Sequence, residues 1–205
     1  MLYLLTGEIQ TGKTRWLERR AARAAEAGVR VYGVLAPGVW HEDGAGGFEK
    51  LGIDNVLLPQ SERIHLADRR DIAQRLGSVE PDGPSERARL GWAMSNAALA
   101  RVNEHFSRLA CEAAQVAGAR GLLVVDELGR LELMRGEGLT AALDLLRRGP
   151  QPAWEDAVVV VRAGLLDRAH DALDSAWGGA VHVLPGSQNR KTYASTCSSN
   201  CVTAR

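Results

Sequence analysis

Lysine is nearly missing from this chain. Of 25 basic residues, only Lys13, Lys50 and Lys191 are lysines, and the other 22 are arginine. Cysteine is scarce as well: Cys111, Cys197 and Cys201 show no zinc-ligand spacing, and so few thiols fit a reducing compartment better than a disulfide scaffold. There is no excess of either charge. The 25 acidic residues cancel the 25 basic ones to a formal net charge of zero, which argues against general nucleic-acid binding. No apolar run approaches the roughly 18 residues of a membrane helix. Met1 to Gly7 lacks the basic region and length of a secretion signal, so the expected compartment is the cytoplasm. What is present is a chain of 205 residues, 45% of them hydrophobic, enough for one domain burying roughly 70% of its unfolded surface.

Hydrophobic periodicity divides the chain into alternating elements. Leu2 to Thr6 reads as a buried strand, and Gly12 to Ala27 as a helix with Trp16, Leu17, Ala21 and Ala24 on one face, closed by Gly28. Val29 to Ala36 is a second strand. Trp40 to Ala67 reads as an antiparallel hairpin insertion turning at Pro59 to Glu62. Gly77 to Pro84 is a surface loop. Ala88, Leu90, Trp92 and Met94 alternate like a strand, with a single helix starting at Ser85 as the competing reading. Ser95 is an N-cap candidate for a long helix to about Ala117. Leu122 to Val125 is a strand covered on both faces, followed by a helix at 137–148, strand Ala157 to Val161, helix Leu165 to Ser175 and strand Val181 to Leu184. This order predicts an α/β fold around a mostly parallel sheet over residues 1–185. Residues 186–205, rich in Ser, Thr and Asn, read as a disordered tail.

Gly7-Glu8-Ile9-Gln10-Thr11-Gly12-Lys13-Thr14 matches GxxxxGK[ST] between a strand and a helix. Glycines let the backbone curl so that its N–H groups face a phosphate, and the following helix adds its positive end. Lys13 would reach the β/γ oxygens, Thr14 would offer a hydroxyl to Mg²⁺, and Arg15 follows directly. Leu122 to Glu127 has the form of the matching Walker B strand. Asp126 would hold Mg²⁺ through its water shell, and Glu127 would orient or deprotonate an attacking water.

The stretch Asp126-Glu127-Leu128-Gly129-Arg130-Leu131-Glu132-Leu133 resembles the DE-[IL]-G-x-[ML]-E-[LF] signature of the THEP-type small nucleoside-triphosphatases. Gly47-Phe48 resembles that family's Gly-Phe in its hairpin, and Val158 to Arg162 its next strand. The resemblance covers about Met1 to Leu184. It implies a RecA-like P-loop NTPase fold with a β-hairpin insertion, and slow, Mg²⁺-dependent hydrolysis of ATP, GTP and other nucleoside triphosphates. Ile9-Gln10 replace the family's usual Pro-Gly, and Arg15 its second Thr; neither change removes a ligand. In a RecA-like sheet the strand after Walker B lies between the two Walker strands. Arg162, at its end, is therefore a candidate γ-phosphate sensor or cis arginine finger, the alternative being a strand cap or an ion pair with Asp167 or Glu155.

Other residues carry weaker signals. Glu132 suits a cap or ion pair at least as well as catalysis, and Gly129 suits a turn closed to side chains. Trp40 and Phe48 are expected to pack the insertion against the domain, with stacking on a base or a partner as the alternative. Arg69, Arg70 and Arg75 suit a solvated helix face more than an acceptor site, Cys111 a buried helix position, and the histidines and Lys50 carry no role. The function expected is an NTPase. A small-molecule kinase and a nucleotide-switched interaction module with a protein partner are the alternatives. No NKxD-like base-reading motif is present, so nucleotide preference stays open.

Overall fold

The computed structural model describes residues 1–44, 46–115 and 120–186. The expected tail, with Lys191, Cys197 and Cys201, lies outside the described residues apart from Gly186, as does the expected end of the long helix at Ala117.

Strands β1 (Leu2–Leu5), β2 (Arg30–Leu35), β7 (Gly121–Leu128), β8 (Asp156–Val161) and β9 (Ala180–Val183) form the parallel centre of one sheet, in the order β2-β7-β8-β1-β9. Their residues alternate between two apolar layers. Leu2, Leu4, Leu123, Val125, Val159 and Val161 share a core with helices α4 (Asn96–Ala113), α5 (Thr140–Leu146) and α6 (Leu166–Trp177). Tyr3, Leu5, Leu122, Val124, Val158 and Val160 face α1 (Lys13–Glu26), which packs Leu17 and Ala21 against them. Because both faces are covered, β7 and β8 carry continuous aliphatic runs, Leu122 to Val125 and Ala157 to Val161, which is why these strands were visible in the sequence.

On the far side of β2 the sheet turns antiparallel, in the order β6-β5-β4-β2. Strand β4 (Phe48–Leu58) pairs with β2, with β3 (Gly38–Glu42) and with β5 (Glu62–Arg69), and β6 (Trp92–Met94) closes the edge. The hairpin is thus a continuation of the main sheet. Only residues 56–58 of β4 pair with β2, so its first half runs past the end of β2.

Several local expectations need correction. The alternation at 88–94 yields only the short β6, because Pro84–Arg87 is a helical turn (α3) and Arg89 adopts φ 50°. No single helix runs from Ser85: α4 begins after Ser95, whose hydroxyl accepts from the Ala98 N–H. Helix α2 (Arg70–Leu76) occupies the stretch where the arginines were expected to lie on a helix face. The helix expected from residue 137 starts at Thr140, preceded by a π-helical turn at Leu131–Arg135. Cys111 is exposed on α4, contrary to the burial expected of it.

Candidate active site

The loop from Gly7 to Gly12 joins β1 to α1, where Gly12 takes φ 82°, a left-handed conformation that glycine adopts without strain. No side chain caps α1, which leaves its first N–H groups facing the loop. Lys13 folds back over this loop: its Nζ donates to the carbonyls of Gly7 at 2.9 Å and Glu8 at 2.5 Å. The Thr11 hydroxyl closes the turn on the Glu8 carbonyl at 2.8 Å. Glu8, Ile9, Gln10 and Arg15 face solvent, Ile9 at 73% exposure.

Next to this loop lies the end of β7. Asp126 accepts from the Thr14 hydroxyl at 3.3 Å and from the Ala36 N–H at 2.8 Å. Burial pushes its pKa up to about 6 despite those two hydrogen bonds, with the Glu127 charge adding to the rise. A buried carboxylate in that condition is short of positive charge.

Between Val125 and Leu128 the β7–β8 ladder contains a bulge, where Asp126 and Glu127 together oppose Val160. Glu127 there adopts φ 92°, rare and strained for a residue with a side chain. In a regular strand, neighbouring carboxylates would point to opposite faces. The bulge removes that constraint, and the charges of both act on Lys13, whose pKa is lowered first by burial and then raised by Glu127. Glu127 Oε1 accepts from Arg162 Nε at 2.7 Å.

Strand β8 indeed lies between β7 and β1, which sets Arg162 at the same sheet end. Its partner is Glu127 rather than Asp167 or Glu155. Lys13, Thr14, Asp126, Glu127 and Arg162 thus converge from three adjacent parallel strands.

Glu132 has a different place. Buried under the π-turn, it accepts from the N–H of Gly129 and of Leu139, each at 2.8 Å. The close approach is to Gly138, where a Cβ would lie 2.2 Å from Glu132 Oε1; at Gly129 a Cβ would meet nothing closer than 3.5 Å. The turn that excludes side chains is therefore at Gly138. Phe48 is 66% exposed and does not pack the extension against the domain. Gly47 donates to Asp43 Oδ1 at 2.9 Å in the β3–β4 turn.

The residue that sequence reasoning missed is Lys50. It lies on β4, half-buried, within the field of Glu127, Asp126 and Arg162. Its rarity as a lysine was the one signal available.

No protein-family model matches the chain, and no curated protein matches it in sequence. Solved structures do. THEP1 from the hyperthermophile Aquifex aeolicus superimposes with a TM-score of 0.60 at 16% identity, over 93% of this chain and 92% of that one. A human cancer-related nucleoside triphosphatase superimposes with a TM-score of 0.58 at 17% identity, over 92% and 90%. The chain has the THEP1 fold. The signature residues Asp126 to Leu133 occupy the bulge and π-turn of this THEP1-like sheet. Among the described residues, no helix is long and apolar enough to cross a membrane.

Proposed function

We propose that this chain is a Mg²⁺-dependent nucleoside-triphosphatase, acting in the cytoplasm and releasing nucleoside diphosphate and phosphate. The observation that carries this reading is the convergence of Lys13 and Thr14 with Asp126, Glu127 and Arg162 beside an uncapped helix N-terminus. Both structural relatives are compatible with it: one is a human nucleoside triphosphatase, and the other is THEP1.

The loop Gly7 to Thr14 would hold the phosphates through its N–H groups and the start of α1. On binding, Lys13 would exchange the Gly7 and Glu8 carbonyls for β/γ oxygens. Thr14 and Asp126 suit Mg²⁺, since both offer hard oxygens and the buried Asp126 lacks a compensating cation. When bound, the ion would neutralise developing negative charge on the phosphates. Glu127, aimed by the bulge, would orient water for in-line attack and take its proton. Arg162 would leave Glu127 for the terminal phosphate, freeing the carboxylate and stabilising the transition state.

The deciding experiment measures phosphate release from a nucleotide panel, without an acceptor, for wild type, Lys13→Ala and Glu127→Gln. Glu127→Gln is expected to bind nucleotide and stop releasing phosphate. Release that requires an added acceptor would favour a kinase. Undiminished triphosphate binding by Lys13→Ala would overturn the site assignment.

A further inference from the structure

Lys50 is held in a defined lane. It faces Trp40 across the β3–β4 pair, and its stem crosses Gly38. A Cβ at position 38 would stand 2.7 Å from Lys50 Cε and 2.6 Å from Trp40 Nε1, so glycine keeps the lane open. The ammonium ends 5.0 Å from the centroid of the Trp92 ring, a cation–π contact. Among the described residues it has no ion pair and no hydrogen-bond acceptor, although the ammonium carries three donors. Glu127, the first carboxylate whose charge acts on it, is already bonded to Arg162.

Topology says where this cation points. The half of β4 carrying Lys50 runs beyond Leu35, where β2 ends, with the Asp54 N–H bonded to the Pro37 carbonyl. That is the sheet end from which the loop, Asp126, Glu127 and Arg162 project. Burial lowers the Lys50 pKa, the charges of Glu127 and Asp126 raise it and that of Arg162 lowers it, so all four groups share one electrostatic neighbourhood.

We propose that Lys50 is a second phosphate-binding lysine, delivered by the antiparallel extension to the terminal phosphate of a bound nucleoside triphosphate. A half-buried ammonium without an acceptor is costly, and an anion arriving between it and Arg162 removes that cost. The terminal phosphate is the fitting partner, because Glu127 and Arg162 flank the place where hydrolysis would occur. Lys13 serves the loop side, and Lys50 closes the opposite side. This inference rests on the nucleoside-triphosphatase reading of the same site.

Calorimetry with Mg²⁺, a non-hydrolysable triphosphate analogue and the corresponding diphosphate tests it. Lys50→Met is expected to weaken triphosphate binding by about tenfold or more, as for loss of one charge-assisted hydrogen bond, and to change diphosphate binding less than about twofold. Lys50→Gln gives the same pattern and decides the matter if Lys50→Met does not fold. Equal losses for both ligands, or no loss, overturn the proposal. Lys13→Ala separates the two failures. If it binds both ligands normally, the phosphate-loop reading falls. If it loses both while the Lys50 variants keep the wild-type preference for triphosphate, only the role of Lys50 falls.

Discussion

Replacing Arg162 by alanine separates a structural arginine from a catalytic one. In the resting protein Arg162 pairs with Glu127 at 2.7 Å, between side chains that are 51% and 44% exposed. A surface pair of this kind contributes about 0.2–1 kcal/mol to stability. If Arg162 moves to the terminal phosphate, the pair must open at that small cost. The gain is that of a preorganised donor on developing charge, about 2.7–4 kcal/mol. The difference, about 1.7–3.8 kcal/mol, corresponds to a fall in kcat of roughly 20- to 600-fold, centred on 10²-fold. Stability should move by less than about 1 kcal/mol, and nucleotide affinity should be largely kept. Phosphate release at saturating nucleotide gives kcat, calorimetry gives affinity, and urea unfolding gives stability. Unchanged kcat, or a loss confined to KM, would refute the reasoning and leave Arg162 as a strand-end ion pair.

Three further outcomes are expected. Lys13→Arg should abolish phosphate release without shifting the urea midpoint, because a forked guanidinium does not fit where a slim ammonium sits 2.9 and 2.5 Å from the Gly7 and Glu8 carbonyls; retained turnover would contradict this. Glu132→Gln leaves one of the Gly129 and Leu139 N–H groups without its carboxylate acceptor, and should cost about 1–3 kcal/mol in urea unfolding; an unchanged midpoint would show that Glu132 is not the anchor of the π-turn. His65 bonds Asp54 through Nδ1 at 2.8 Å and Asp68 through Nε2 at 3.0 Å; burial alone would lower its pKa, but these carboxylates raise it above 6.5. Its stabilisation is therefore complete below pH 6.5 and lost as pH rises through the folded value, whereas that of Asp54, held below 3.8, is lost as pH falls through its own. Urea midpoints of wild type should decline on the alkaline side, and His65→Gln should flatten that decline; identical slopes would exclude the cluster as a source of the pH dependence.

What was legible in the sequence was local or doubly buried. The GxxxxGK[ST] loop is contiguous, and β7 and β8 are aliphatic on both faces, so neither needed knowledge of pairing. Arg162 was legible for a related reason: a strand order with β8 between β7 and β1 sets the residue after Val161 at the sheet end that carries the Gly7–Gly12 loop. Its partner was not, because Glu127 reaches it only through a bulge and a φ of 92°, and no periodicity announces a bulge. The antiparallel half was misread in a similar way. Local alternation can show a hairpin at Pro59, but not that Val56 to Leu58 pair with β2 and carry the rest of β4 past its end. The π-turn likewise depends on a carboxylate buried beneath it, and Leu131 to Arg135 reads like ordinary helix.

That overhang changes the meaning of the scarcity of lysine. A chain that uses arginine at 22 of 25 basic positions has a general preference, and preference alone says nothing about any one site. Two of its three lysines nevertheless belong to the same electrostatic neighbourhood: the charges of Glu127, Asp126 and Arg162 act on both Lys13 and Lys50. At both places arginine has a physical disadvantage. Inside the loop its fork is too broad, and on β4 a planar guanidinium would stack on Trp92 or pair with a carboxylate instead of leaving its donors unused. A slim point charge suits the proposed phosphate site at both positions: at Lys13 it can pass from the Gly7 and Glu8 carbonyls to an anion, and at Lys50 it meets only the Trp92 ring until one arrives. Lys50 is 37 residues from Lys13 in sequence, and it is the sheet that sets both within the field of Glu127 and Asp126.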